Sequence, residues 1–184
     1  KPCRPARRAP PAGKRGWLPP LHPECEGFSC AAGNAAGVND AAGAVLVVDA
    51  ELAAAEGLEV LAVVRAWASV GVDPADTGLA PAPAIRKALE RAGRTVADVD
   101  LWEINEAFAS VAVAAVRMLG LDEELVNPLG SGCSLGHPVA MTGARMVMTL
   151  THELRRRGGG TAVAAMCAGG GMATALVLHV PPPA

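Results

Sequence analysis

A layered α/β domain built on a mixed β-sheet is the fold this sequence predicts. Short apolar, β-branched stretches alternate with segments of helical period, and the chain closes on an apolar hairpin. Apolar residues make up 51% of the chain but aromatics only 3%, so Ala, Val and Leu must build the core from small, closely packed elements. The net charge of −2 leaves no polyanion-binding footprint, so no nucleic-acid partner is expected. No apolar run approaches the ~20 residues a membrane span needs.

Residues 1–28 read as a poorly ordered segment, rich in Pro and Arg and without apolar period. Lys1-Pro2-Cys3-Arg4 is not followed by the apolar stretch of a secretory signal, and there is no initiator Met, which suggests a fragment or a processed product. Order is expected to begin near Ala31. Asp40 is placed to cap a short Ala-rich helix that gives way to an apolar strand, Val45-Leu46-Val47-Val48. A helix over 50–56 follows, started by Asp49 and stopped by Gly57, and then a β-branched strand from Val60 to Ala68.

The loop from Gly78 to Pro83 opens a helix over 82–92. There Ala84, Ile85, Ala88, Leu89 and Ala92 share one face, and Gly93 closes the element. Val99 to Ile104 reads as a short strand. It runs straight into Asn105-Glu106-Ala107-Phe108, which is expected to start a helix that ends at Gly120 and is apolar nearly all round, hence buried. A long helix is predicted from Pro138 to about Arg157, its Arg155-Arg156-Arg157 end complementing the macrodipole as a solvated terminus. Thr161–Cys167 and Met172–Val180 form a hairpin across Gly169-Gly170-Gly171.

Three polar residues lie at junctions of these elements. His137 sits between the glycine-rich Gly130-Ser131-Gly132-Cys133-Ser134-Leu135-Gly136 and Pro138. A helix N-terminus there disfavours imidazolium and keeps the ring neutral near pH 7, as a general base requires; a capping histidine without chemistry is the alternative. Asn105 suits a helix cap as well as a site. Cys167, before a run of glycines, is either a small buried hydrophobe or a tuned thiol beside N–H groups that can approach an oxyanion. In α/β sheets chemistry gathers where strand ends meet helix N-termini, so the three could converge on one pocket. The five cysteines, an odd number without C-x-x-C spacing, fit a reducing cytoplasm. Cys133 and His137 form half a metal site at most, and no metal is expected.

Asn105-Glu106-Ala107-Phe108, Gly136-His137-Pro138 and Cys167-Ala168-Gly169-Gly170-Gly171, in this order and spacing, resemble the C-terminal half of thiolases, the acetyl-CoA acetyltransferases and 3-ketoacyl-CoA thiolases. Ala32-Gly33-Asn34, Asn39-Asp40 and Gly143-Ala144-Arg145 extend the resemblance, which covers about residues 30 to 180. It implies a thiolase-like layered fold, with 29–57 the last part of the N-terminal domain and 58–184 the C-terminal domain. It implies an acyltransferase that makes and breaks a carbon–carbon bond beside a thioester, with coenzyme A as substrate and no resident cofactor. His137 is then the base that activates the nucleophilic cysteine, Cys167 the thiol that moves the α-proton, and Asn105 the holder of an oxyanion-hole water. The Gly169 N–H serves a second oxyanion hole. Ala107 and Phe108 line the pantetheine channel, and the loop from Ala32 to Ala36 touches the same arm; a core aromatic is the alternative for Phe108.

The family pattern is not met everywhere. Its nucleophilic cysteine belongs to the N-terminal half, and Cys3, Cys25 and Cys30 lie in nothing like its motif. Ala36 takes the place of a serine that many relatives carry, Ala140 that of a glycine, and Gly130-Ser131-Gly132 differs from the commoner Asn-Gly-Gly. The chain by itself is therefore expected to lack activity, and the complete enzyme to be a homodimer or homotetramer. A non-catalytic acyl-CoA- or lipid-binding module and a truncated gene product are the alternatives. A ketoacyl-synthase-type condensing enzyme would need a second histidine where Asn105 begins its tetrapeptide.

Overall fold

The computed structural model describes residues 19, 21, 24 and 30–183; the expectation for residues 1–28 lies almost wholly outside them. Four strands form one mixed sheet: β1 (Val63–Gly71), β2 (Leu101–Ile104), β3 (Gly160–Ala168) and β4 (Met172–Val180), in the order β1-β4-β3-β2. β3 and β4 make the expected hairpin, with Ala168 opposite Met172. β4 pairs antiparallel with β1, and β2 lies parallel to β3. The helices are α1 (Ala50–Ala55), α2 (Pro81–Ala92), α3 (Ala109–Leu119) and α4 (Thr142–Arg157).

The sheet is covered on both faces. Ile85, Ala88 and Leu89 of α2 and Val111, Ala112 and Ala115 of α3 pack on Trp102, Val163 and Val177 on one side. Met146, Leu150 and Leu154 of α4 pack on Leu101, Ala162, Ala164 and Leu178 on the other. Alternation along β2 feeds both layers, Leu101 facing α4 and Trp102 the opposite core. Small side chains let these layers approach closely, as the composition required.

Several expectations are corrected. Val45 to Val48 form no strand; all four are exposed, because no strand among the described residues pairs with them and an unpaired strand leaves its backbone groups to water. No helix follows Asp40, since Asn39 is held by the His137 backbone and the chain beyond runs exposed to α1. β1 starts and ends three residues later than predicted, its end fixed by the Gly71–Met172 pairing. α3 buries one face only, leaving Val113 and Met118 in solvent. The arginines that end α4 form the expected solvated terminus, Arg156 and Arg157 being exposed, and also pair with carboxylates: Arg155 with Glu59, and Arg156 and Arg157 with Glu153. Among the described residues no helix is long and apolar enough to cross a membrane.

Candidate active site

Asn105 continues β2 instead of capping α3. Its N–H donates to the Ala165 carbonyl of β3 at 2.9 Å, so the residue stays in the ladder and is fully buried. The chain then crosses Glu106 and Ala107, and α3 starts only after Phe108, whose backbone is extended and bridged to Ala35. That crossing turns the Asn105 side chain toward His137.

His137 likewise lies outside its helix. Val38 bridges its backbone, the Asn39 carboxamide oxygen accepts its N–H at 3.0 Å, and α4 begins five residues on, at Thr142. Gly136 is required here, with φ +115° and a Cβ position only 2.7 Å from Asn39 Oδ1. The ring is still held below the ordinary histidine range, first by burial and then by the Arg145 guanidinium. The expected neutral imidazole is present, but its cause is burial and a neighbouring cation.

The two residues meet. Asn105 Nδ2 lies 3.4 Å from both ring nitrogens of His137, so it does not single out one of them. Asn105 Oδ1 is buried and has no hydrogen-bond partner within the described residues. An orphaned buried oxygen costs about 1–3 kcal/mol, which marks a place built for a small polar guest. His137 Nδ1 lies 2.7 Å from the Thr142 hydroxyl.

The loop expected to touch the pantetheine arm lies beside this pair. The Ala36 N–H donates to the Ala107 carbonyl at 3.0 Å, and the Ala109 N–H to Asn34 at 2.8 Å. Ala36 is half-buried and Ala32 exposed. Phe108 is 40% exposed and lies outside the buried core of this chain.

Cys167 occupies the same end of the sheet, one strand away from Asn105, but it packs toward the α2/α3 core while the neighbouring Met166 faces α4. No hydrogen bond joins it to Asn105 or His137 within the described residues. Burial pushes its thiol up, so the side chain is protonated at neutral pH. In the turn that follows, Gly171 is demanded by φ +80° and by contact of its Cβ position with the Val72 carbonyl, whereas a Cβ on Gly169 would meet nothing within 4 Å. The chain's own packing therefore does not require glycine at 169.

Three supports were not singled out as site residues from the sequence. Asn127, with φ 51°, uses its carboxamide to pair both backbone groups of Ile104, at 2.7 and 2.8 Å, closing the open edge of β2 just before Asn105. The Asn-Pro dipeptide at 127–128 is a turn marker that could have drawn attention to it. Arg145 reaches the buried Glu103 carboxylate at 2.6 Å beneath the site. Cys133, the suspected half of a metal pair, instead donates its N–H to Glu106 and its thiol to the Glu106 carbonyl, and burial with the Glu106 charge pushes that thiol up to about 11. Among the described residues no three His, Cys, Asp or Glu side chains gather as metal ligands.

The molecule is thus an α/β domain with a polar site where the ends of two parallel strands face a helix start. The model of the thiolase C-terminal domain matches residues 58–180, and the chain belongs to the thiolase family. It is 48% identical over 156 residues to an acetyl-CoA acetyltransferase of Syntrophomonas wolfei, covering 84% of this chain and 39% of that protein. It is 50% identical over 157 residues to the peroxisomal 3-ketoacyl-CoA thiolase B of Mus musculus, covering 85% of this chain and 37% of the relative. The crystal structure of human mitochondrial 3-ketoacyl-CoA thiolase superposes with a TM-score of 0.90 at 39% identity, over 95% of this chain and 44% of that one; the same enzyme has been solved in complex with CoA. The chain spans about two fifths of the length of the curated relatives it matches.

Proposed function

We propose that this chain supplies the proton-handling half of a thiolase-type acyltransferase, which performs reversible Claisen condensation and thiolysis of 3-ketoacyl-CoA. The observation that carries this reading is the Asn105–His137 pair: a neutral imidazole against a buried carboxamide whose oxygen has no partner in the described protein.

In this reading His137 takes the proton of a nucleophilic thiol supplied by the part of the enzyme that the relatives have and this chain does not cover. The thiolate attacks the thioester carbonyl and coenzyme A leaves. Asn105 Oδ1 and Nδ2 hold a water that, with His137, faces the thioester oxygen of the second substrate. A carbanion beside a thioester forms readily only when the enolate oxygen is stabilised in a dry site. Cys167, protonated at neutral pH, gives its proton to the α-carbon in thiolysis; in condensation it first protonates the departing coenzyme A thiolate and then, as the thiolate, takes the α-proton. The Gly169 N–H serves the acyl-enzyme oxygen, a role that accounts for a glycine the fold itself does not need. Coenzyme A thioesters are substrates here, and no resident cofactor enters the chemistry. Ala32, Ala36, Ala107 and Phe108 line the pantetheine path. The complete enzyme is a homodimer or homotetramer, and 29–57 belongs to its N-terminal domain. The free cysteines suit a reducing compartment, and we place the enzyme in the cytoplasm.

The test is a chimera in which residues 30–184 replace the matching segment of the Syntrophomonas enzyme. Thiolysis of acetoacetyl-CoA is expected, with loss on His137→Ala. Cys167→Ala is expected to lower α-proton exchange far more than acylation of the nucleophile; equal loss of both would remove the role given to Cys167. The 184-residue chain alone should show no thiolysis, and activity there would overturn the division of labour.

A further inference from the structure

The Asn105 amide, equidistant from both nitrogens of His137, does not decide which of them carries the proton. The group that does is Thr142. Its side chain is fully buried, so no solvent competes for its hydroxyl. The hydroxyl oxygen lies 2.7 Å from His137 Nδ1 and 3.0 Å from the Pro138 carbonyl oxygen. A carbonyl can only accept. If the hydroxyl proton turned to Nδ1, two oxygen acceptors would face each other at 3.0 Å with nothing between them. If it points to Pro138, the usual arrangement for a threonine one helical turn beyond a carbonyl, the hydroxyl oxygen is free to accept from Nδ1–H.

We propose that Thr142 is a positioning residue that fixes His137 in the Nδ1–H tautomer and leaves the Nε2 lone pair as the proton acceptor of the site. The tautomer stands on the geometry of Thr142, Pro138 and His137 alone; its use as a base rests on the function proposed above. When Nε2 takes a thiol proton, the products are thiolate and imidazolium, and Nδ1–H still donates to Thr142. The ring need not reorient between its neutral and charged forms, and Thr142 need not exchange its own proton.

The experiment uses the 184-residue chain labelled with ¹⁵N-histidine, and long-range ¹H–¹⁵N spectra recorded where the ring is neutral. Comparison with His137→Gln assigns the ring among the four histidines. The expected wild-type result is a pyrrole-type Nδ1 and a pyridine-type Nε2. Thr142→Ser keeps the acceptor and should reproduce it. Thr142→Val removes the acceptor at similar volume and should move the tautomer ratio toward Nε2–H by about tenfold, the worth of an ordinary buried hydrogen bond. A wild-type ring protonated on Nε2, or a folded Thr142→Val chain with the wild-type ratio, overturns the proposal. Should Thr142→Val not fold, the wild-type spectrum still decides. An inactive chimera whose His137 carries Nδ1–H would count against the proposed function and leave this assignment standing.

Discussion

Arg145, on the first turn of α4, reaches across to Glu103 in the middle of β2 and closes a 2.6 Å ion pair directly beneath the Asn105–His137 contact. Both side chains are largely withdrawn from water, and Arg145 Nε has no partner within the described residues. Burial raises the Glu103 carboxyl, and the Arg145 charge opposes that rise. The pair ties the strand that carries Asn105 to the helix that follows His137. Arg145→Met would strand a buried carboxylate and should destabilise the chain by about 3–5 kcal/mol in urea unfolding. Adding Glu103→Leu should recover most of that loss, since an apolar pair replaces the ionic one.

The same substitution has an electrostatic consequence. The Arg145 charge helps to depress the His137 imidazole, after burial. In a folded Glu103→Leu/Arg145→Met chain the histidine should titrate at higher pH than in the wild type, followed by NMR of the ring protons. Glu103→Leu alone accounts for the lost carboxylate, and a double variant that titrates no higher than that single variant would show that the guanidinium is too well screened to matter.

Asn127 acts as a surrogate strand for Ile104. Asn127→Ala leaves the N–H of fully buried Ile104 without a partner and its C=O with only the Ser131 hydroxyl, at 3.3 Å, and places a Cβ-only side chain at φ 51°. The expected cost is about 2–4 kcal/mol by thermal or chemical unfolding. Asn127→Asp keeps the acceptor for Ile104 N–H but loses the donor, and should fall between the two.

Glu153 makes the α4 terminus acid-sensitive. Hydrogen bonds from Arg156 and Arg157 draw its carboxyl down to about 2 from an ordinary 4.5. The folded state therefore binds this proton less readily than the unfolded chain. The stabilisation is complete above about 4.5 and is lost as the pH falls toward about 2. Glu153→Gln should be less stable at neutral pH, and its difference from wild type should vanish across that window.

The two ends of the glycine turn should respond oppositely. Gly171→Ala forces a side chain into the left-handed region and against Val72, and should lower stability by about 2 kcal/mol or more. Gly169→Ala should leave the unfolding midpoint of the chain unchanged, while in the chimera it should slow formation of the acyl-enzyme if the proposed oxyanion role holds.

Local chemistry made much of the frame legible. Gly93, Gly120 and Gly158 end their helices where the pattern places them, and the Gly169–Gly171 turn joins the predicted hairpin. What failed was whatever depends on a partner distant in sequence. An apolar run such as Val45–Val48 declares a wish to be buried but not the strand that would bury it. Asn105 has the chemistry of a helix cap, yet Ala165 recruits its N–H into the sheet. The start of α4 moved to Thr142 because Val38 and Asn39 hold His137 extended, and the histidine–threonine contact exists only after that displacement. For Cys167 the sequence indicated the right end of the sheet; the thiol's raised pKa comes from the α2/α3 core it packs against, which no glycine spacing announces.

The pairing of β1 with the final strand has a consequence for biosynthesis. Gly71 faces Met172 and Val63 faces His179, so roughly 100 residues must be translated after β1 before its partner exists. At about 5–20 residues per second that is a wait of roughly 5–20 s. During it, Val64 and Trp67 ride on an unpaired edge outside the ribosome, within reach of holdase chaperones. Completion of the sheet therefore waits for the nine residues of β4 to be made.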